Sequence, residues 1–313
     1  MASTARPPVV PADELKSFSE HLQSSTTILT LLGAGLSASS GLPTFRGAGG
    51  LWRTHTAQDL ATPWAWARDP GLVWQFYNYR RHMALSVQPN RAHIALANLT
   101  HHKPGFLTLS QNVDGLSQRA GHPLDKLKLL HGSLFDVKCS DFWCKYKEQN
   151  NFTDPIVPAL AIPTDETDIT SNEARRTREL DISDTGVDLP EISLRDLPHC
   201  PECKHGVLRP GVVWFGEALP ADVISTVDNF IQSSPKIDLI MVIGTSASVY
   251  PAASYVDTAR AKGARVAVVN MDRNDEPASG MMEGDWFFAG DAAQIVPEIL
   301  KSVIGETPEY SEL

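Results

Sequence analysis

Short apolar runs of strand length recur along the chain at Thr27–Leu32, 106–110, 238–243, Arg265–Asn270 and, more weakly, Trp286–Ala289. Segments with helical spacing separate them, at 72–86, 93–99, 222–232 and 252–262. Strands that alternate with helices predict an α/β fold: a Rossmann-like parallel sheet with helices on both faces. Most of these runs end in polar or small residues: Gly33-Ala34-Gly35, Gln111-Asn112, Gly244-Thr245-Ser246 and Asn270. Ligands of open α/β sheets sit beyond the carboxyl ends of the strands, so these residues are expected to share one crevice.

The alternation fades in the middle. Between Cys139 and Arg209 all four cysteines appear, and the stretch 163–196 is rich in Asp, Glu, Thr and Ser. So little apolar content predicts a mobile surface excursion. The expected organisation is an N-terminal extension over 1–24, a nucleotide-binding domain over 25–138 and 210–302, a zinc-binding module over 139–209 with the polar insertion at about 150–198, and a C-terminal tail over 303–313.

Cysteine usage refines this picture. Four cysteines are too few for a disulfide scaffold of 313 residues. Cys139 and Cys144 form a C-x4-C pair and Cys200 and Cys203 a C-x2-C pair. Two such pairs suit one structural Zn2+ held by four thiolates, with no open position for catalysis.

Charge narrows the partners. With 27 Lys+Arg against 37 Asp+Glu the formal charge is −10. That balance disfavours direct nucleic-acid binding, which needs clustered cations, and suits lysine-bearing peptides. No apolar run approaches the ~20 residues of a membrane helix, so no membrane partner is expected. The first residues lack the apolar core of a secretory signal and make a poor transit peptide. The expected location is intracellular, in cytoplasm or nucleus, with the mitochondrion open.

A glycine loop after a strand lets backbone approach a pyrophosphate, although Gly33-Ala34-Gly35 alone is a weak signal. The longer run Gly33-Ala34-Gly35-Leu36-Ser37-Ala38-Ser39-Ser40-Gly41-Leu42-Pro43-Thr44-Phe45-Arg46-Gly47 resembles the signature of the sirtuins, a family of NAD-dependent protein deacylases. Gln111-Asn112-Val113-Asp114, His131-Gly132, the cysteine pairs, Trp214-Phe215-Gly216-Glu217, Gly244-Thr245-Ser246 and Asn270 follow in the family's order.

The resemblance implies NAD as co-substrate. The acyl-lysine carbonyl oxygen attacks C1′ of the nicotinamide ribose as nicotinamide leaves, and a base then activates a ribose hydroxyl. By resemblance that base is His131, whose side-chain type titrates near neutral pH. Asn112 and Asp114 are expected to orient the ribose and the nicotinamide amide, with Gln111 supporting the histidine. Gly33, Ala34, Gly35, Ser37 and Thr44 belong to the cofactor loop. Phe45 and Arg46 are expected to shield C1′ and hold the phosphates. Gly244, Thr245, Ser246, Asn270, Asp272 and Ala292 are assigned to the adenosine half.

Trp74-Gln75-Phe76-Tyr77-Asn78-Tyr79-Arg80-Arg81 resembles the class III branch of that family. There a tyrosine and an arginine three apart bind the distal carboxylate of succinyl-, malonyl- or glutaryl-lysine. Tyr77 and Arg80 fit that role, since residues three apart share a helix face and a guanidinium grips a carboxylate. Arg81 and Tyr79 are expected to be surface and packing residues. Val213, Phe215 and Glu217 are expected on a strand that pairs with the substrate backbone. Three other readings stay open: a deacetylase, with histones among its substrates; an ADP-ribosyltransferase; and a non-catalytic NAD-binding regulator.

Overall fold

The computed structural model describes residues 9–44, 51–164, 179–246 and 249–312. The chain divides into two compact units. The first comprises Met1–Pro43, Val87–His131 and Leu219–Leu313, and the second comprises Thr44–Ser86 and Gly132–Ala218.

The first unit is built on β1 (Thr27–Leu32), β4 (Gly105–Ser110), β5 (Leu127–Leu129), β9 (Leu239–Ile243), β10 (Arg265–Asn270) and β11 (Trp286–Ala289). They form one sheet in the order β11-β10-β9-β1-β4-β5, and every pairing is parallel. All five predicted strands are present, and the sheet is the Rossmann-like one expected. Alternate residues of a strand face opposite sides, and here both sides are covered. Ile28 and Leu32 pack with α1 (Ala12–Ser24), α6 (Arg91–His102) and the last helix, α10 (Ala292–Ile304), through Phe18, Leu96, Leu99, Ile295 and Ile299. Leu29 and Leu31 pack on the other face, with Val227 and Ile231 of α8 (Ala221–Ser233) and Val256 and Ala259 of α9 (Ser254–Ala261).

The ends of the chain differ from expectation. Residues 12–24 are a core helix rather than an extension: Phe18 is fully buried, edge-on to Trp286 and Phe288 at 5.2 and 5.4 Å. Leu15, Phe18 and Leu22 recur three and four residues apart, which marks one apolar helix face. The C-terminal residues return to α6, where Arg91 donates to the Thr307 carbonyl.

The second unit holds a three-stranded antiparallel sheet, β7 (Lys147–Glu148), β6 (Gly132–Cys139) and β8 (Leu208–Val212), in that order. It also holds the hairpin of β2 (Leu51–Trp52) and β3 (His55–Thr56), the short helices α3 (Ala57–Leu60) and α4 (Pro63–Arg68), and α5 (Pro70–Ser86). Residues 44–86 therefore join the cysteine-bearing segment, which makes this unit larger than the expected 139–209 module. The glycine loop leads into a one-turn helix, α2 (Gly35–Ala38). Two local expectations also change. Val213, Phe215 and Glu217 lie beyond the end of β8, in a turn closed by the Glu217 N–H on the Trp214 carbonyl. Arg81 is not a surface residue: it is fully buried, donating to the carbonyls of Leu134, Asn151 and Thr153. No helix among the described residues is long and apolar enough to cross a membrane.

Because Phe18 fills a tight aromatic contact, Phe18→Ala should cost about 3–5 kcal/mol of stability. A denaturation midpoint unchanged from the parent protein would show that α1 does not contribute to the core.

Candidate active site and cysteine centre

The sheet brings the glycine loop and three other strand ends together. The Gly33 N–H donates to the Ile243 carbonyl and the Gly35 N–H to the Gly244 carbonyl, each at 2.9 Å. This approach leaves no room for side chains: a Cβ on Gly33 would lie 2.4 Å from Thr245 Cβ. Gly244 has a φ of +63°, and a Cβ there would meet the Leu36 nitrogen at 2.3 Å.

Polar side chains then lace the strand ends. Asn112 Nδ2 donates to the Gly33 carbonyl at 3.0 Å, and Gln111 Nε2 donates to the Leu32 carbonyl and to Thr245 Oγ1 at 3.3 and 3.2 Å. Asn270 Nδ2 donates to the Thr245 carbonyl at 3.0 Å, which ties the end of β10 to the loop after β9. Gly33, Ala34, Gly35, Ser37, Gln111, Asn112, Asp114, Gly244, Thr245 and Asn270 are thus joined by this lacework or by adjacency in the chain.

The remaining cofactor assignments fall differently. Asp272 is exposed and accepts from the Asn274 backbone and amide. Ala292 opens α10, and Asp291 caps that helix through the Ala293 N–H. Ser246 follows Thr245 and is half-buried. Thr44 is half-buried at the start of the second unit, and Phe45 and Arg46 lie outside the described residues.

His131 follows β5 in the first unit. Its Nδ1 lies 3.1 Å from the Gln111 carbonyl oxygen, which can only accept, so Nδ1 carries the proton. Nε2 is then the basic nitrogen. Burial pushes the pKa of His131 below 6.5, against the opposing pull of the Gln111 bond. The ring is therefore neutral at pH 7 and able to take up a proton. Gln111 supports the histidine through its backbone, while its side chain serves the glycine loop.

A second histidine was missed in the sequence. His93, on α6, is buried, and burial pushes its pKa down to about 4. Its Nδ1 accepts from the Asn90 N–H, which leaves the Nε2 proton facing Ser37 Oγ at 3.3 Å. Ser37 Oγ in turn donates to Asp114 Oδ2 at 2.7 Å, and Asp114 Oδ1 accepts from the Leu116 N–H at 2.9 Å. Asp114 is oriented from both oxygens. The available signal was Asn90 three residues before His93, a helix-capping pair.

In the second unit the four cysteines converge. Their Sγ atoms all lie within 4.8 Å of one another, with Cys139–Cys203 and Cys144–Cys200 at 3.7 Å. A disulfide needs ~2.05 Å between sulfurs, so these are thiols. A tetrahedral zinc with bonds of ~2.3 Å separates its sulfurs by about 3.8 Å, and the cluster fits that ion. Backbone N–H groups of Asp141 and Gly206 point at Cys139 and Cys203 sulfur, as suits thiolates. The wide C-x4-C loop is held by Asp141, whose Oδ1 accepts from the N–H groups of Trp143 and Cys144.

The residues assigned to the acyl group also lie in this unit. Tyr77 is buried, its pKa is pushed up to about 12 by that burial, and its oxygen accepts from Trp214 Nε1 at 3.0 Å. That acceptor role leaves the phenol proton as a donor. The positive charge of Arg80 favours the phenolate, opposing the burial, and its guanidinium lies 5.5 Å from the Phe76 ring. Glu217, assigned to substrate, is engaged instead by Arg209 Nη1 and Nη2 at 2.6 and 3.0 Å and by the Trp214 N–H. Phe215 is 48% exposed, and its N–H donates to the Ala61 carbonyl. Val213 is half-buried.

The sequence profile of the Sir2 family matches residues 33–251. A protein named NAD-dependent protein deacylase from Candida albicans is 50% identical over 94% of this chain and 99% of its own length. The chain belongs to the Sir2 family. Mitochondrial NAD-dependent protein deacylase sirtuin-5 of Danio rerio is 38% identical over 93% of the chain and 88% of its own length. Among solved structures, a Sir2 homologue in complex with NAD is 31% identical, covers 96% of each chain and has a TM-score of 0.70. The class III resemblance drawn from the sequence agrees with these relatives.

One zinc per chain is expected by elemental analysis. Cys144→Ser should lower both the metal content and the melting temperature; a folded, zinc-free parent protein would refute the centre.

Proposed function

We propose that this protein is an NAD-dependent protein-lysine deacylase that prefers acyl groups ending in a carboxylate. The deacylase reading is carried by His131, a neutral imidazole whose tautomer is fixed by the Gln111 carbonyl. The relatives of matching length that are named NAD-dependent protein deacylases support the same activity. A non-catalytic binder would have no use for such a base.

When bound, NAD supplies an electrophilic ribose carbon and nicotinamide as leaving group. The groups suited to lie against it are the closely packed Gly33–Gly35 backbone, Ser37, Asn112, Asp114 and Asn270. No Cβ is tolerated where the two loops meet, which suits a backbone that must approach a phosphate closely. Asp114, oriented by Ser37 and Leu116, is placed to accept from a ribose or amide donor. His131 Nε2 takes the proton of a ribose hydroxyl. The other substrate is acyl-lysine in a protein or peptide, and a Sir2 structure with a deacetylated p53 peptide is a relevant neighbour at 25% identity and TM-score 0.65.

The acidic-acyl preference is supported by Tyr77 and Arg80 on one face of α5. A buried phenol with its proton to donate and a nearby guanidinium offer a charge-assisted grip on a distal carboxylate. We read the protein as intracellular, which suits its thiol cluster and its cofactor; the sirtuin-5 relatives are named as mitochondrial.

With NAD present, nicotinamide release should be faster from a succinyl-lysine peptide than from its acetyl counterpart. Arg80→Met should cut that selectivity by roughly 10- to 100-fold, the worth of a hydrogen bond to a charged group. Equal rates in the parent protein would defeat the acidic-acyl reading. Because burial lowers the His131 pKa, kcat/KM should stay level as pH falls toward 6.5 and drop only below it. An acid limb centred above 6.5 would place the essential base elsewhere.

A further inference from the structure

The insertion between the cysteine pairs was expected to be a mobile excursion, yet its described part is fastened to α5. Gly71, Gln75, Tyr79 and His82 form one stripe of that helix at about 100° per residue. At Gly71 a Cβ would lie 2.9 Å from the Ile192 carbonyl oxygen. Gln75 Nε2 donates to the Pro190 carbonyl at 2.8 Å, and the Tyr79 hydroxyl to Asp181 Oδ1 at 3.4 Å. His82 bridges Asp154 and Glu179, with ring nitrogens at 2.7 and 2.8 Å from the two carboxylates. The hydrogen bond to Asp154 and the charges of both carboxylates raise the His82 pKa and favour the doubly protonated ring, which can donate to both.

A second anchor comes from the turn between β2 and β3. Arg53 Nη1 donates to the carbonyls of Ile182, Asp184 and Val187 at 3.2, 2.8 and 2.9 Å, and Nη2 to that of Thr185 at 3.4 Å. Ile182 is only 3% exposed. One guanidinium thus gathers four carbonyls of residues 182–187, at the middle of a strap over 179–192. Around the helix axis this stripe lies about half a turn from Tyr77 and Arg80.

We infer that the strap is a specificity element: by backing α5 it fixes the direction of Tyr77 and Arg80, with Arg53 as its positioning residue. The inference rests on the acidic-acyl reading above. A two-donor grip on a carboxylate tolerates only ~0.5 Å or roughly 10–20° of misplacement, whereas an acetyl group makes no such demand. Loosening the strap therefore penalises carboxylate-bearing substrates and spares acetyl-lysine.

The test compares the full-length, zinc-loaded parent protein with Arg53→Met, Arg53→Lys and Gln75→Ala. Readouts are kinetics on matched succinyl- and acetyl-lysine peptides and hydrogen exchange of α5 amides. In Arg53→Met, succinyl kcat/KM should fall about 10-fold, mainly through KM, with acetyl kcat/KM within about twofold. Exchange in α5 should quicken, and Arg53→Lys should recover part of the selectivity. Should Arg53→Met fail to fold, Gln75→Ala, which removes a single bond, should still lower the succinyl-to-acetyl ratio by about threefold. Equal losses on both peptides, or an unchanged ratio beside faster exchange, would overturn the inference. A parent protein without succinyl preference would instead remove the reading beneath it, a result visible before any variant is measured.

Discussion

The backbone-to-backbone approach of the loops after β1 and β9 is the constraint on which the rest of the catalytic unit depends. Two glycines make it possible, and the parallel register of the central strands brings it about. Once those loops meet, their carbonyls become acceptors at fixed places. The amides of Gln111, Asn112 and Asn270 then have partners within hydrogen-bond reach. The polar residues are therefore held in place by the protein's own backbone, which lowers the entropic cost of binding.

Two histidines show how burial and hydrogen bonding divide the work. Both rings are driven toward the neutral form by desolvation, and each has its tautomer fixed by one backbone group. At His93 the backbone offers an N–H, so the outward nitrogen is a donor feeding Ser37 and Asp114. At His131 it offers a carbonyl, so the outward nitrogen is a base. The same side chain takes opposite roles because its inner partner differs.

Much of this was legible in the sequence. The five strands stood out because both faces of the sheet are buried, leaving unbroken apolar runs. The four cysteines announced their cluster through spacing. What stayed hidden has physical reasons. Leu15, Phe18 and Leu22 carry the apolar face of α1, but polar neighbours dilute the pattern. Arg81 reads as a surface cation because three backbone carbonyls and the Asn151 side-chain oxygen, all distant in sequence, supply its partners. Residues 179–192 look solvated for a similar reason: their anchoring uses backbone carbonyls, which composition does not reveal. Glu217 was assigned to substrate without sight of Arg209, eight positions earlier, whose guanidinium grips its carboxylate.

The contact between Phe18 and the Trp286–Ala289 strand has a consequence for biosynthesis. The helix over Ala12–Ser24 precedes its aromatic partners Trp286 and Phe288 by most of the domain, so it finds them only once that intervening chain has been made. Until then its apolar face stays uncovered, and the central strand lacks the neighbour supplied by 239–243. Closure of this core therefore waits on a contact of long sequence separation, and until it forms the α1 face is open to aggregation or chaperone capture.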